Sequence, residues 1–172
     1  MIITYTGRLM DPLNPRVEDI SIMDIAHALA NSCRFNGHCS VFYSIAQHSF
    51  FVSEHVPERA ALWGLLHDAA EAYIGDIIRP IKILPESAGL IAIEESIARV
   101  IREKFGATVY PEVAEADDRM LAAEMRALRL YQHGILPGVK PYDLEGLRCW
   151  SPREAESNFI CRFDELYCGV TV

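Results

Sequence analysis

The chain has 172 residues and a net charge of −8, with 51% apolar and 23% charged residues. Those are the proportions of an ordinary globular domain, long enough to bury a core without disulfide staples. The acidity argues against a basic face for duplex nucleic acid, yet it leaves a nucleotide substrate open, because a metal ion and a few local cations can offset phosphate charge. Cysteine is present five times, an odd number without any C-x-x-C spacing, so neither a disulfide framework nor a thiolate zinc site is expected. The first residues lack the charged start and apolar run of a signal peptide. No stretch approaches the roughly 18 apolar residues that span a bilayer. A cytoplasmic protein without a membrane partner is expected.

In chain order, Thr4-Tyr5-Thr6 carries strand-forming residues, punctuated by Gly7, Pro12, Asn14 and Pro15. Ser21 with Asp24 has the spacing of a capping box and opens a first helix to about Ser32. The segment Cys33 to Tyr43 contains Gly and Asn and reads as a loop. Ser44 caps a second helix to about His55, stopped by Pro57. A third helix is predicted as one piece from Glu58 to Tyr73, with Gly75 as its C-terminal cap. Pro80 and Pro85 bracket a non-helical connection over 76–85. A fourth helix covers about Ala88 to Phe105, with Ile93, Ile97, Val100 and Ile101 at helical spacing and Gly106 as the stop. The fifth starts at Pro111 and reaches about Tyr131. A turn-rich stretch, His133 to Gly146, precedes a capping box at Ser151 and Glu154 that opens a last helix over about 151–168. The expectation is a single all-α helical bundle with a short extended N-terminal segment, one domain over 1–172.

The informative residues are polar ones placed where helices should bury apolar surface. At about 100° per residue, His67, Asp68 and Glu71 share one arc of the third helix with Ala60 and Gly64, while Leu62, Leu65, Leu66, Ala69 and Tyr73 take the other directions. On the fifth helix, Asp117 interrupts a stripe of Tyr110, Val113, Ala114, Met120, Leu121, Met125, Leu128 and Tyr131, with Glu124 two turns on and Asp118 at the solvated edge. On the second, His48 shares its face with Ile45, Phe51 and Val52. Burying such carboxylates unpaired costs several kcal/mol each, on the order of 3–5 when a charge is left uncompensated. A divalent cation resolves that cost where the ligands converge, and an N/O donor set of this kind suits a hydrolytic metal.

The order His48, His67-Asp68, Asp117 resembles the HD-domain metal-dependent phosphohydrolase superfamily. The longer run HDAAEAYIGDIIRPIK is similar to the corresponding stretch of bacterial HD-domain 5′-deoxynucleotidases and of phage-borne relatives, and the loop pair Arg34-Phe35 resembles theirs. The resemblance covers about residues 20–130. It implies an HD-type bundle in which His48, His67, Asp68 and Asp117 hold one divalent ion, a transition metal such as cobalt, manganese, zinc, iron or nickel, with magnesium as the alternative. It also implies that Arg34 contacts the substrate phosphate, that Glu71 helps activate water, and that Asp76 lies near the sugar. Phe35 stands where the relatives have Trp and Ile78 where they have Pro, so strict selection of deoxyribose is not carried over.

The residues fit that chemistry independently. A metal acidifies water and neutralises phosphoryl oxygens. Glu71 lies one turn from His67, within reach of the attacking water, and Arg34 offers a guanidinium fork. Lys82 and His38 are candidate phosphate contacts, whereas His27, His55 and His133 carry no functional argument. Release of phosphate from a deoxynucleotide is the leading expectation, with a deoxynucleoside triphosphate triphosphohydrolase acting, for example, on dATP as the alternative. A cyclic (di)nucleotide phosphodiesterase and a non-catalytic binding module rank lower, the first for want of an H-H pair. Association into a homo-oligomer is expected by analogy with the relatives.

Overall fold

The computed structural model describes residues 1–130 and 136–168. It is all-α apart from a two-stranded N-terminal hairpin in which β1 (Ile2–Ile3) pairs antiparallel with β2 (Leu9–Met10). The strand-forming triplet Thr4-Tyr5-Thr6 makes the turn instead of a strand. Gly7, at φ 80°, closes that turn by donating to the Thr4 carbonyl at 2.9 Å. The hairpin is tied down by Thr6, whose backbone N–H and hydroxyl both donate to Asp24, at 2.6 and 2.9 Å. This corrects the expected capping box: Ser21 is the N-cap residue of α1 (Ile22–Asn31), but its side chain makes no capping bond and Asp24 holds the hairpin.

The remaining helices are α2 (Ile45–Glu54), α3 (Glu58–Leu66), α4 (Glu71–Ile74), α5 (Arg79–Lys82), α6 (Ala88–Phe105), α7 (Pro111–Ala127) and α8 (Pro152–Cys168). Ser44 caps α2 as expected, its hydroxyl accepting from the Gln47 N–H at 3.1 Å. The Ser151–Glu154 capping box of α8 forms in both directions. α6 has the expected bounds and stops at Gly106, which takes φ 65°.

Three boundaries differ from expectation. The predicted third helix is two helices, α3 and α4. Between them Ala69, Glu71, Ala72 and Tyr73 donate to carbonyls three residues back, the tighter 3₁₀ pattern. The break falls on His67–Ala70, the stretch that carries two site residues. Pro80 does not interrupt a coil. It occupies the first turn of the short helix α5, where its missing N–H costs nothing. α7 ends at Ala127 in a Schellman arrangement, with Leu130 donating to Met125 and Arg129 to Arg126. Arg129 takes the left-handed position at φ 56° that glycine usually fills. Tyr131 and His133 lie outside the described residues.

α2 is the hub of the bundle, touching α1, α3, α7 and α8. That explains why its sequence shows no clean apolar stripe: Ile45, Ala46, Gln47, His48, Ser49, Val52 and Ser53 are all buried. The main core joins Leu29 of α1, Leu65 and Leu66 of α3, Ile97 and Ile101 of α6, and Phe159 of α8. A second cluster, Val52, Ala60, Val113, Ala116 and Met120, welds α2 and α3 to α7. The Gln47 amide stitches the C-terminal segment onto this hub, donating to the Arg148 carbonyl and accepting from the Trp150 N–H, both at 2.8 Å. Gly64 lets α3 approach α2 closely, since a methyl group there would lie 3.0 Å from Ser53 Cα. None of the described helices is long and apolar enough to cross a membrane.

Candidate metal centre

Three elements bring the candidate ligand atoms together: α2 with His48, the tightened turn after α3 with His67 and Asp68, and α7 with Asp117. The Nε2 atoms of His48 and His67 stand 3.3 Å apart. Asp117 Oδ1 lies 3.2 Å from His48 Nε2 and 4.0 Å from His67 Nε2. These three residues form the group of potential ligands whose donor atoms all fall within 4.8 Å of one another. Asp68 Oδ2 adjoins it, 3.3 Å from His67 Nε2 and 3.6 Å from His48 Nε2.

Both imidazoles are oriented through their far nitrogens. His48 Nδ1 pairs with Glu124 Oε1 at 2.7 Å, and His67 Nδ1 with the Gly64 carbonyl at 2.8 Å. With Nδ1–H donating outward, each Nε2 presents its lone pair to the centre, the usual way a ligating histidine is fixed. Glu124 is fully buried. It also accepts from the Tyr43 hydroxyl at 2.8 Å and lies 3.2 Å from Arg34 Nε, an ion pair whose alignment leaves Nε and Oε2 without a hydrogen bond.

The charges explain one another. Burial alone would lower His67, but Asp68 and then Asp117 outweigh it and hold the ring up at about 9. Burial would raise Asp117, but His48 and then His67 bring it down to about 2. Asp68 is likewise held well below the usual carboxylate range, burial being overcome by His67, His48 and Arg34. Without a metal, protons on the imidazoles balance the carboxylates, and a divalent ion would take the place of those protons.

Glu71 opens α4, 5% exposed. Its Oε1 accepts from Lys82 Nζ at 3.1 Å, while Oε2 is buried with no hydrogen-bond partner among the described residues. Burial, then the carboxylates of Asp68 and Asp76, push it up to about 9 against the pull of Lys82. Asp76 is half-buried beyond it and also raised by burial. Lys82 is spoken for, because Nζ donates to Glu94 at 2.7 Å as well as to Glu71. A cavity of about 320 Å³ shares His67 and Lys82 with the site and continues to Trp63, Glu94 and Arg102.

Arg34–Gly37 is a left-handed turn, with Phe35 and Asn36 both at positive φ, 57° and 49°. That conformation folds the buried Arg34 inward, Nη1 reaching Asp68 Oδ2 at 3.4 Å. Phe35 stays half-buried beside it, its ring centroid 5.5 Å from the guanidinium carbon. His38, at the end of the same turn, is exposed. His27 stacks on Tyr5 at 3.6 Å and His55 pairs with the Phe51 carbonyl at 2.7 Å, both away from the centre.

Three pairings at the site are not legible in the sequence. Tyr43 gave no signal. Glu124 gave one: it is an acid in the apolar stripe of α7, seven residues after Asp117. Arg79 donates to Asp118 Oδ1 at 2.6 Å and to Asp117 Oδ2 at 3.3 Å, so Asp118 is a partner of the rim and not simply solvated.

No family model matches the chain. It is similar to the uncharacterized protein YfdR of Escherichia coli strain K12, 40% identical over 171 residues that cover 95% of this chain and 93% of YfdR. It is also similar to an uncharacterized protein of Rhodobacter capsulatus, 37% identical over 110 residues, covering 59% of this chain and 56% of that protein.

Proposed function

The chain belongs to the family of YfdR, and we propose that it is an HD-type, divalent-metal-dependent phosphohydrolase that releases phosphate from nucleotides. The observation that carries this reading is the convergence of two Nε2 atoms and an Asp117 oxygen within 4.8 Å, with both Nδ1 atoms engaged elsewhere. The donor set of two imidazoles and two carboxylates suits zinc, manganese, iron, cobalt or nickel, and Glu71 Oε2, buried without a partner, supports a site built for one more polar occupant. Bound there, a divalent ion supplies Lewis acidity toward a phosphoryl oxygen and acidifies water.

The chain's own groups do the rest. His48, His67, Asp68 and Asp117 hold the ion. Arg34 grips phosphoryl oxygens from the Asp68 side. Glu71 orients the attacking water and takes its proton, its raised proton affinity matching a base that works near neutrality once a cation offsets the neighbouring carboxylates. Lys82 steadies Glu71. The nucleotide comes from the resemblance of the HDAAEAYIGDIIRPIK run, and a single phosphoryl group is favoured over a triphosphate because Lys82 is held by two carboxylates, one of which, Glu71, is buried and has no water to take its place. Phe35 and Asp76 are the sugar-side residues, and an apolar wall of this kind rejects an added hydroxyl by about 10²-fold at most.

The test is a panel of deoxy- and ribonucleoside mono-, di- and triphosphates with several divalent ions, resolving phosphate from triphosphate. Phosphate release from deoxynucleoside monophosphates is expected, abolished together with metal binding in Asp117→Ala and reduced about 10²-fold or more, with metal retained, in Glu71→Gln. A fully metallated Asp117→Ala protein, or no turnover of any nucleotide with any metal, would sink the reading.

A further inference from the structure

The rim of the site carries a guanidinium that the steps above leave unused. Arg79 opens α5 directly after Ile78, and its side chain is 47% exposed. Its two terminal nitrogens part between adjacent carboxylates: Nη1 donates to Asp118 Oδ1 at 2.6 Å and Nη2 to Asp117 Oδ2 at 3.3 Å. The other oxygen of Asp117, Oδ1, is the one that faces His48. Asp117 thus addresses the ligand centre with one oxygen and Arg79 with the other.

The strength of this contact depends on what else Asp117 holds. A divalent ion at the centre draws charge from Asp117 and weakens its pull on Arg79. Asp118 then remains as the main partner, its side chain 42% exposed, and an exposed ion pair holds its partner only weakly. A phosphoryl group with two negative charges offers the same fork a stronger, bidentate partner. Arg34 reaches Asp68 and Arg79 reaches Asp117, so guanidinium groups on separate elements border the centre at two of its carboxylates.

We propose that Arg79 is a second phosphate-binding residue, which exchanges its Asp117–Asp118 pair for phosphoryl oxygens in the metal-loaded site and clamps one phosphoryl group together with Arg34. The inference rests on the reading of the site as one that binds metal and phosphate, and it does not need turnover.

The experiment is orthophosphate binding to the Mn²⁺-loaded protein by calorimetry, with metal content and metal affinity measured on the same samples. Arg79→Ala is expected to keep its metal with little change in affinity and to lose about tenfold or more in phosphate affinity, the scale of a charge-assisted hydrogen bond. Arg79→Lys should recover part of that loss. Asp118→Asn, which removes a competing carboxylate, should bind phosphate more tightly than the parent, by about threefold, or ~0.65 kcal/mol. Unchanged phosphate affinity in Arg79→Ala would overturn the proposal. So would a phosphate loss matched by an equal loss of metal affinity, since Arg79 would then only position Asp117. Weaker phosphate binding in Asp118→Asn would overturn it too. A protein that binds phosphate through Arg79 and hydrolyses no nucleotide would retire the hydrolase reading and leave this inference standing.

Discussion

The two sides of the candidate metal centre use the same kinds of charge in opposite ways. On the interior side His48, Glu124, Tyr43 and Arg34 are all buried, and each holds a polar contact with another. On the rim, Arg79 and Asp118 are about half-exposed and pair with each other. A buried charge that loses its partner has no water to turn to, whereas an exposed one rehydrates at little cost. The interior is therefore fixed before any ligand arrives, and the rim is free to trade partners.

Glu124→Ala should break this contrast most severely. It strands His48 and Arg34 in the core, and removing one partner of a buried pair typically costs about 3–5 kcal/mol. Loss of the carboxylate that orients His48 through Nδ1 lowers metal affinity by about 10–100-fold besides. Chemical denaturation and metal titration read the two effects, and a Glu124→Ala protein as stable as the parent would contradict the account of the interior. Gly64→Ala comes next. Its methyl group would meet Ser53 Cα at 3.0 Å and Val56 Cγ2 at 3.2 Å, an overpacking that costs about 1–3 kcal/mol. Because α2 carries His48 and α3 runs directly into His67, the variant should also lose metal affinity; an unchanged melting temperature and metal affinity would show that the two helices can part freely.

The metal-free protein should respond to pH through the same groups. His67 is raised from 6.5 to about 9 in the fold, so its contribution is full below pH 6.5 and is lost as pH rises through 9. Glu71, raised from 4.5 to about 9, acts in the same direction, because the unfolded carboxyl gives up its proton first. Melting temperature without metal should therefore fall between pH 6.5 and 9, while the stabilisation by added metal grows over that window as protons leave the ligands. A flat metal-free profile would contradict it. The smallest effect belongs to the rim: Asp118→Ala should change stability by less than about 1 kcal/mol, in sharp contrast to Glu124→Ala measured in the same denaturation series.

What could be read from the sequence follows the range of the forces involved. Local signals held: the Ser44 cap, the Ser151–Glu154 box, Gly106 at the end of α6, and the inward direction of His48, His67 and Asp117. The break at His67–Ala70 has no local signal, since neither Gly nor Pro marks it, and the long-range packing of the bundle outweighs the helical preference of LLHDAAEAY. The pairing of Asp24 with Thr6 leaves no local signal, because 18 residues separate them and a short polar side chain bonds wherever the fold offers a donor. Tyr43 and Arg79 meet their partners at separations of 81 and 38–39 residues, beyond any pattern confined to one helix.

Phe35 and Asn36 hold the left-handed conformation that presents Arg34; asparagine visits that region readily, whereas phenylalanine there costs roughly 1–2 kcal/mol against an ordinary helical conformation. Natural selection acting on stability alone would favour glycine at Phe35, which relieves that strain while removing the ring beside the guanidinium. Under the proposed function, retention of a bulky residue there in active relatives, and its drift to glycine in lineages released from that constraint, would make this turn a record of whether the site is still in use.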